Sequence, residues 1–163
     1  MTTATKFASV SDFEKGGVEV IGNDQPRRYL FSNLFDVAAK SQPWERVVVA
    51  KNLEFTIECA RAEGESPWYL SGHDETVLVM EGTLAVHFVQ PAVVPGGAGN
   101  GATRLSGTPS GKVMGHVRLQ AGHLALLPAG AAYQIRPAGL CVVLFQSLLG
   151  AESIERWAEI CQH

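Results

Sequence analysis

Apolar residues along this chain of 163 residues follow two spacings, one before Arg46 and another after it. From Arg46 onward they form short runs: RVVVA, LEFTIECARAE, ETVLVMEG, TLAVHFVQP, KVMGHVRLQ, HLALLPAG and CVVLFQSLL. Glycine and proline separate the runs, which predicts the short strands of a β-sandwich or barrel. Leu53, Phe55 and Ile57 alternate with polar neighbours, the spacing of a strand with one face buried. RVVVA, LALLP and CVVLF do not alternate, so both faces of those strands should be covered. A barrel interior covers one face. The other needs a helix or a partner chain.

Before Arg46 the spacing predicts two short helices. In SVSDFEKGG, Ser11 stands three residues before Glu14, a capping-box pattern. SNLFDVAAKSQP predicts a second helix between Ser32, its cap, and Pro43. Residues 1–45 therefore read as an N-terminal arm and residues 46–163 as the β domain. Inside the domain, residues 95–115 hold seven glycines and two prolines, a composition that makes ordering costly and predicts a mobile loop. A lid, a partner-binding arm and a loop with no role are all open for it. Over residues 150–162, Ile154, Trp157 and Cys161 share one side of an amphipathic terminal helix. That helix either caps its own domain or docks on a partner, and Trp157 is a candidate interface anchor.

The length suits a single domain. No apolar run approaches the roughly 18 residues needed to cross a bilayer, and the first residues lack the pattern of a secretory signal. The cytoplasm is the expected compartment. Cys59, Cys141 and Cys161 form no CxxC pair and read as reduced thiols. The net charge of −3, with no cluster of lysine or arginine, argues against nucleic acid or an acidic membrane as partner. Charged residues make up 18% of the chain, against about 25% in an ordinary soluble domain. So little charge leaves apolar surface that another chain should cover, and an oligomer is expected.

Two segments carry candidate chemistry. In GHLALLPAGAAYQI, Gly122, Pro128 and Gly130 have the spacing of the second motif of the cupin superfamily, and Tyr133 stands at its histidine position. In WYLSGHDETVLVMEGTL, Glu75 and Gly82 match the glutamate and glycine of the first cupin motif, with Tyr69 and Ser71 at the two histidine positions. The chain thus resembles cupins, which implies a mainly β fold: a single cupin-type β-barrel (jelly roll) with short N-terminal helices and a C-terminal helix. The glycines and proline serve turns and can persist without a metal. The histidines of such a barrel bind metal through neutral imidazole nitrogens. A phenol with a pKa near 10 and a serine hydroxyl are poor substitutes. Without a cation, a buried Glu75 needs donors or a proton. Tyr69, Tyr133 and His73 are the candidate donors, and a general-base role for Glu75 is the lesser reading. A metal held by His73, Glu75 and one further histidine is an alternative, because His73 and Glu75 share a face if the strand is extended. His87 should face outward, opposite Leu84, Val86 and Phe88. His116 and His163 lie beside the Gly-rich loop and at the chain end. His123 follows a turn glycine.

As a whole the chain resembles the small subunits of two-component hydroquinone 1,2-dioxygenases of p-nitrophenol and 4-hydroxyacetophenone degradation. That resemblance implies a hetero-oligomer, a heterotetramer in kind, in which a larger cupin-like catalytic subunit carries Fe(II). It also implies oxygenation of hydroquinone, a small aromatic diol, to 4-hydroxymuconic semialdehyde. No catalytic, cofactor-binding or metal-binding residue of the family carries over onto this chain. Trp68 and Tyr69 are candidates for one wall of a substrate pocket, with rim packing as the plainer reading. Two other functions stay open: a stand-alone cupin enzyme with the unusual ligands His73 and Glu75, and a small-molecule-binding cupin.

Overall fold

A computed structural model describes residues 34–93 and 100–160. The predicted capping box at Ser11 and the cap Ser32 lie outside them. Helix α1 (Leu34–Lys40) precedes eight of the longer and shorter strands in turn: β1 (Arg46–Asn52), β2 (Phe55–Ala62), β3 (Tyr69–Ser71), β4 (Glu75–Glu81), β5 (Thr83–Pro91), β6 (Ala102–Arg104), β7 (Gly111–Gln120) and β8 (Leu124–Leu127). β9 (Ala132–Pro137), β10 (Cys141–Leu148), β11 (Ser153–Ile154) and helix α2 (Trp157–Ile160) complete the chain. One sheet has the order β11-β1-β2-β10-β4-β8, the other β6-β3-β9-β5-β7. All pairings between these strands are antiparallel except that of β11 with β1. The two sheets enclose the main core in the arrangement of a cupin-like jelly roll.

The runs without alternation are explained by what lies on each side. Val47 and Val49 of β1, Cys59 of β2 and Val142 of β10 pack under Val37 and Ala38 of α1, while Ala60, Val143 and Phe145 belong to the core between the sheets. The helix is thus the second cover that RVVVA and CVVLF required. LALLP departs from the expectation: Leu124 is 60% and Leu126 51% exposed, on the edge strand β8, with only Leu127 fully buried.

Three further expectations are revised. In β2 the alternation at Leu53, Phe55 and Ile57 marks the outer side. Leu53 and Phe55 are exposed, and Thr56, Glu58, Ala60 and Ala62 are buried, because β2 turns Ala60 and Ala62 into the apolar core and Thr56 and Glu58 towards buried polar partners. The Gly-rich stretch supplies β6, paired with β3, and the first residues of β7, so residues 102–104 and 111–115 are held in sheets while 105–110 form the connection between them, and residues 95–99 lie outside the described residues. The terminal helix starts only at Trp157, since Ile154 pairs with Val47 in a parallel ladder instead of continuing a helix, and Cys161 lies outside the described residues. Trp157 is only partly buried, and its ring nitrogen donates to Glu155 at 2.8 Å.

The turn residues behave as their motifs predict. Gly82 links β4 to β5 with φ +88°, and a Cβ there would run into the Cys141 side chain, so glycine is required on two counts.

Candidate functional site

The inward-facing residues divide the interior into two ends. At one end Val77, Val79, Leu84, Val86, Ile135 and Val143 form an apolar core. At the other, β1 brings in Arg46, β2 Glu58, β4 Glu75, β9 Tyr133 and β10 Ser147, each at most 3% exposed. Arg46 opens β1 opposite Ser153 of β11, which points its side chain inward while Val47 turns out towards α1.

The guanidinium of Arg46 holds this end together. Its Nε donates to Glu58 Oε2 at 2.5 Å, its Nη2 to Glu75 Oε1 at 2.9 Å and its Nη1 to the Tyr133 hydroxyl oxygen at 3.2 Å. Tyr133 in turn donates to Glu75 Oε2 at 2.7 Å, and Ser147 to Glu75 Oε1 at 2.5 Å. Thr56 and Ser153 both donate to Glu58 Oε1, at 3.0 and 2.5 Å. Every oxygen of the two carboxylates has a donor, the condition under which buried charges are tolerated. Beneath them the Arg46 guanidinium carbon lies 4.2 Å from the centre of the Phe145 ring, a cation–π contact.

Charge states follow from these contacts. Burial by itself would raise the Glu75 carboxyl, but the Arg46 charge, aided by the hydrogen bonds of Ser147, Tyr133 and Arg46, outweighs it and holds Glu75 below its ordinary range. Burial would likewise make Arg46 easier to deprotonate. The Tyr133 oxygen and the two glutamates reverse that, and the guanidinium stays charged well above its usual value. Burial pushes the Tyr133 phenol up strongly, so it remains a protonated donor. A general base needs access to its substrate; Glu75 is ionised, but it is fully buried and accepts from Arg46, Ser147 and Tyr133.

The residues proposed from sequence are distributed unevenly over this site. Tyr133 is a donor to Glu75 as expected; Tyr69 and His73 are not. His73 precedes β4, accepts from the Leu148 N–H through Nε2 at 3.3 Å and lies 3.1 Å from Ser71 Oγ through Nδ1. The acceptor role of Nε2 places the proton on Nδ1, which donates to Ser71. Both ring nitrogens are thereby occupied, and His73 and Glu75 do not converge on a common ligand position. Trp68 and Tyr69 point to opposite sides of the second sheet. Trp68 packs with Leu70, Val89 and Ala132 on its outer side, whereas Tyr69 lies in the core, its ring 5.7 Å from that of Tyr133. The Tyr69 hydroxyl is buried with no hydrogen-bond partner among the described residues. His87 faces outward as expected, stacked on His116 at 5.1 Å. Arg46 and Glu58 were not anticipated. The available signal was a charge at the head of one apolar run and an acid inside another.

The cupin resemblance implies a transition metal at the positions of Tyr69, Ser71, Glu75 and Tyr133. These residues do not fit one. Glu75 alone among them is a good metal donor, its oxygens are committed to Arg46, Ser147 and Tyr133, and Ser71 is committed to His73. Among the described residues no group of three or more His, Cys, Asp or Glu is arranged around a metal position.

No protein-family model and no curated protein sequence matches the chain. Solved structures do. A chain of hydroquinone 1,2-dioxygenase PnpCD, solved in complex with Cd2+ and 4-hydroxybenzonitrile, is 42% identical, with a TM-score of 0.81 over 99% of this chain and 98% of that one. A chain of the hydroquinone 1,2-dioxygenase of Sphingomonas sp. TTNP3, solved with 4-hydroxybenzoate bound, is 46% identical, with a TM-score of 0.80 and the same coverage. The chain belongs to the hydroquinone 1,2-dioxygenase family. Within that family it matches the short type of chain from end to end. A longer chain of PnpCD, in a complex with Fe3+, shares the fold at 13% identity and a TM-score of 0.59, and this chain spans only 39% of it. A cupin-2 domain protein of Shewanella frigidimarina, 22% identical with a TM-score of 0.53 over 72% of this chain and 93% of that one, shares the fold as well.

Proposed function

We propose that this chain is the small, non-metal subunit of a heteromeric hydroquinone 1,2-dioxygenase, and that a larger cupin-like chain holds the Fe(II). The observation that carries the reading is the end-to-end identity of 42–46% with the short chains of two such enzymes. The reaction adds both oxygen atoms of O2 to hydroquinone and cleaves the ring carbon–carbon bond beside a hydroxyl, giving 4-hydroxymuconic semialdehyde with no other product. This chain contributes a rigid jelly roll to the assembly and no iron ligand. Trp68 and Tyr69 pack on opposite sides of the second sheet, so they do not form one wall of a substrate pocket, and their part is packing. The exposed Leu124 and Leu126 suit a chain that is covered in a complex. The proposed compartment is the cytoplasm; no helix among the described residues is long and apolar enough to cross a membrane.

The test is coexpression with a larger cupin-like chain of the same enzyme family. The expected result is co-purification of the two chains and Fe(II)-dependent consumption of hydroquinone, with neither chain active alone. Turnover by this chain alone, or failure of the two to associate, would overturn the proposal. The stand-alone enzyme built on His73 and Glu75 finds no support in the geometry, since both side chains are committed elsewhere.

A further inference from the structure

We propose that the Arg46 guanidinium is the resident cation of this jelly roll: it stands in for a divalent ion beside Glu75 and Tyr133, and closes the interior to metal by occupying the place. Loss of histidines alone would leave an empty polar hole around a carboxylate. The structure has a filled one. Glu75 and Tyr133, which hold the glutamate and second-motif histidine positions, both end on Arg46, at 2.9 and 3.2 Å.

Occupancy by the two cations is mutually exclusive on simple distances. A metal ion sits about 2.0–2.2 Å from a carboxylate oxygen. The Nη2 of Arg46 approaches Glu75 Oε1 to 2.9 Å and the Ser147 hydroxyl donates to the same oxygen, so both lone pairs of Oε1 are taken and an ion approaching from the side of Arg46 would overlap the guanidinium. The charge balance also fits a substitution. One guanidinium brings a single positive charge to two carboxylates, and the shortfall against a divalent ion is met by hydroxyls from Tyr133, Ser147, Thr56 and Ser153. Unlike a metal, this cation is covalently tethered through β1, held over Phe145, and cannot be chelated or deprotonated in the working range of pH. Its presence is a property of this chain by itself, so the inference stands or falls separately from the assembly with a larger subunit.

Two measurements on the full-length chain test it, with the wild-type chain as baseline for adventitious zinc at surface histidines. The first compares the histidine-restored variant Y69H/S71H/Y133H with and without R46A. Elemental analysis after Zn2+ loading should find one additional equivalent only when Arg46 is absent. An extra equivalent with Arg46 in place, or none in an Arg46-free variant that is folded by circular dichroism, would overturn the proposal. The second uses R46A alone, melted with and without millimolar methylguanidinium. The thermal midpoint of R46A should rise by about 3–5 °C, the shift expected when a ligand is near ten times its dissociation constant, while the wild type stays put. Equal shifts in both, or none in either, would also overturn it.

Discussion

The two ends of the interior are built on different physics. The apolar end, with Val79, Val86 and Ile135, is held by close packing, which is non-directional and summed over many weak contacts. The polar end hangs on one side chain. Arg46 reaches Glu58, Glu75 and Tyr133 at once, and each partner is placed by a different strand. A methylene lost from the first end leaves a small void; a guanidinium lost from the second leaves two buried anions. Tolerance to substitution should therefore differ sharply between ends that adjoin on β9, where Tyr133 and Ile135 occupy successive inward positions.

The largest expected effect is that of R46M. Methionine fills comparable volume, so the loss is mainly electrostatic, and breaking a buried pair from one side costs about 3–5 kcal/mol. Urea denaturation of the full chain measures it. A loss below about 1 kcal/mol would show that the polar end does not depend on its cation. Acid titration attacks the same cluster from the anion side. Glu75 has a folded pKa below its ordinary value of 4.5, so its stabilising contribution is complete above that value and disappears as pH falls through the lower folded pKa. The urea midpoint should drop as pH is lowered beneath about 4.5. In E75Q, which is less stable at neutral pH, the drop should be shallower. A parallel pH profile for the two proteins would remove Glu75 from the account. Y133F is next: it deletes a hydroxyl that donates to Glu75 and accepts from Arg46, and hydrogen bonds to charged groups are worth about 1.5–3 kcal/mol.

The same contrast governs what could be read from sequence. Strands β4, β5 and β10 stood out because their apolar runs are bounded by turn residues, and Gly82 announced its own hairpin. β3 and β9 did not stand out: Tyr69, Ser71 and Tyr133 made their segments look like a depleted metal site instead of strands. β6 was hidden in glycine-rich sequence, where composition outweighs a three-residue pairing. Tyr133, 58 residues from Glu75, is legible as its donor only through the motif. Arg46 is not, since it lies 29 residues from Glu75 and no local period links a residue on β1 to one on β4. Glu58 was obscured by Leu53, Phe55 and Ile57, whose alternation pointed the strand the wrong way round. Packing patterns are local and repeat along a chain; a charge network is set by which strands meet, which only the fold discloses.

The smallest effect belongs to the apolar end, and it completes the comparison. Ile135 is fully buried between Tyr133 on its own strand and Val86, its partner across β5. I135V removes one methylene group and leaves no polar atom unpaired, so the cost should be about 0.5–1.5 kcal/mol. Because the site is apolar and uncharged, that cost should be the same at pH 7 and at pH 4, unlike anything done to the cluster around Arg46. Urea denaturation at the two pH values checks both points. If I135V becomes more costly as acid protonates Glu75, the two ends are not independent: packing around Ile135 is then transmitted through the adjoining Tyr133 ring to the hydroxyl that Glu75 requires.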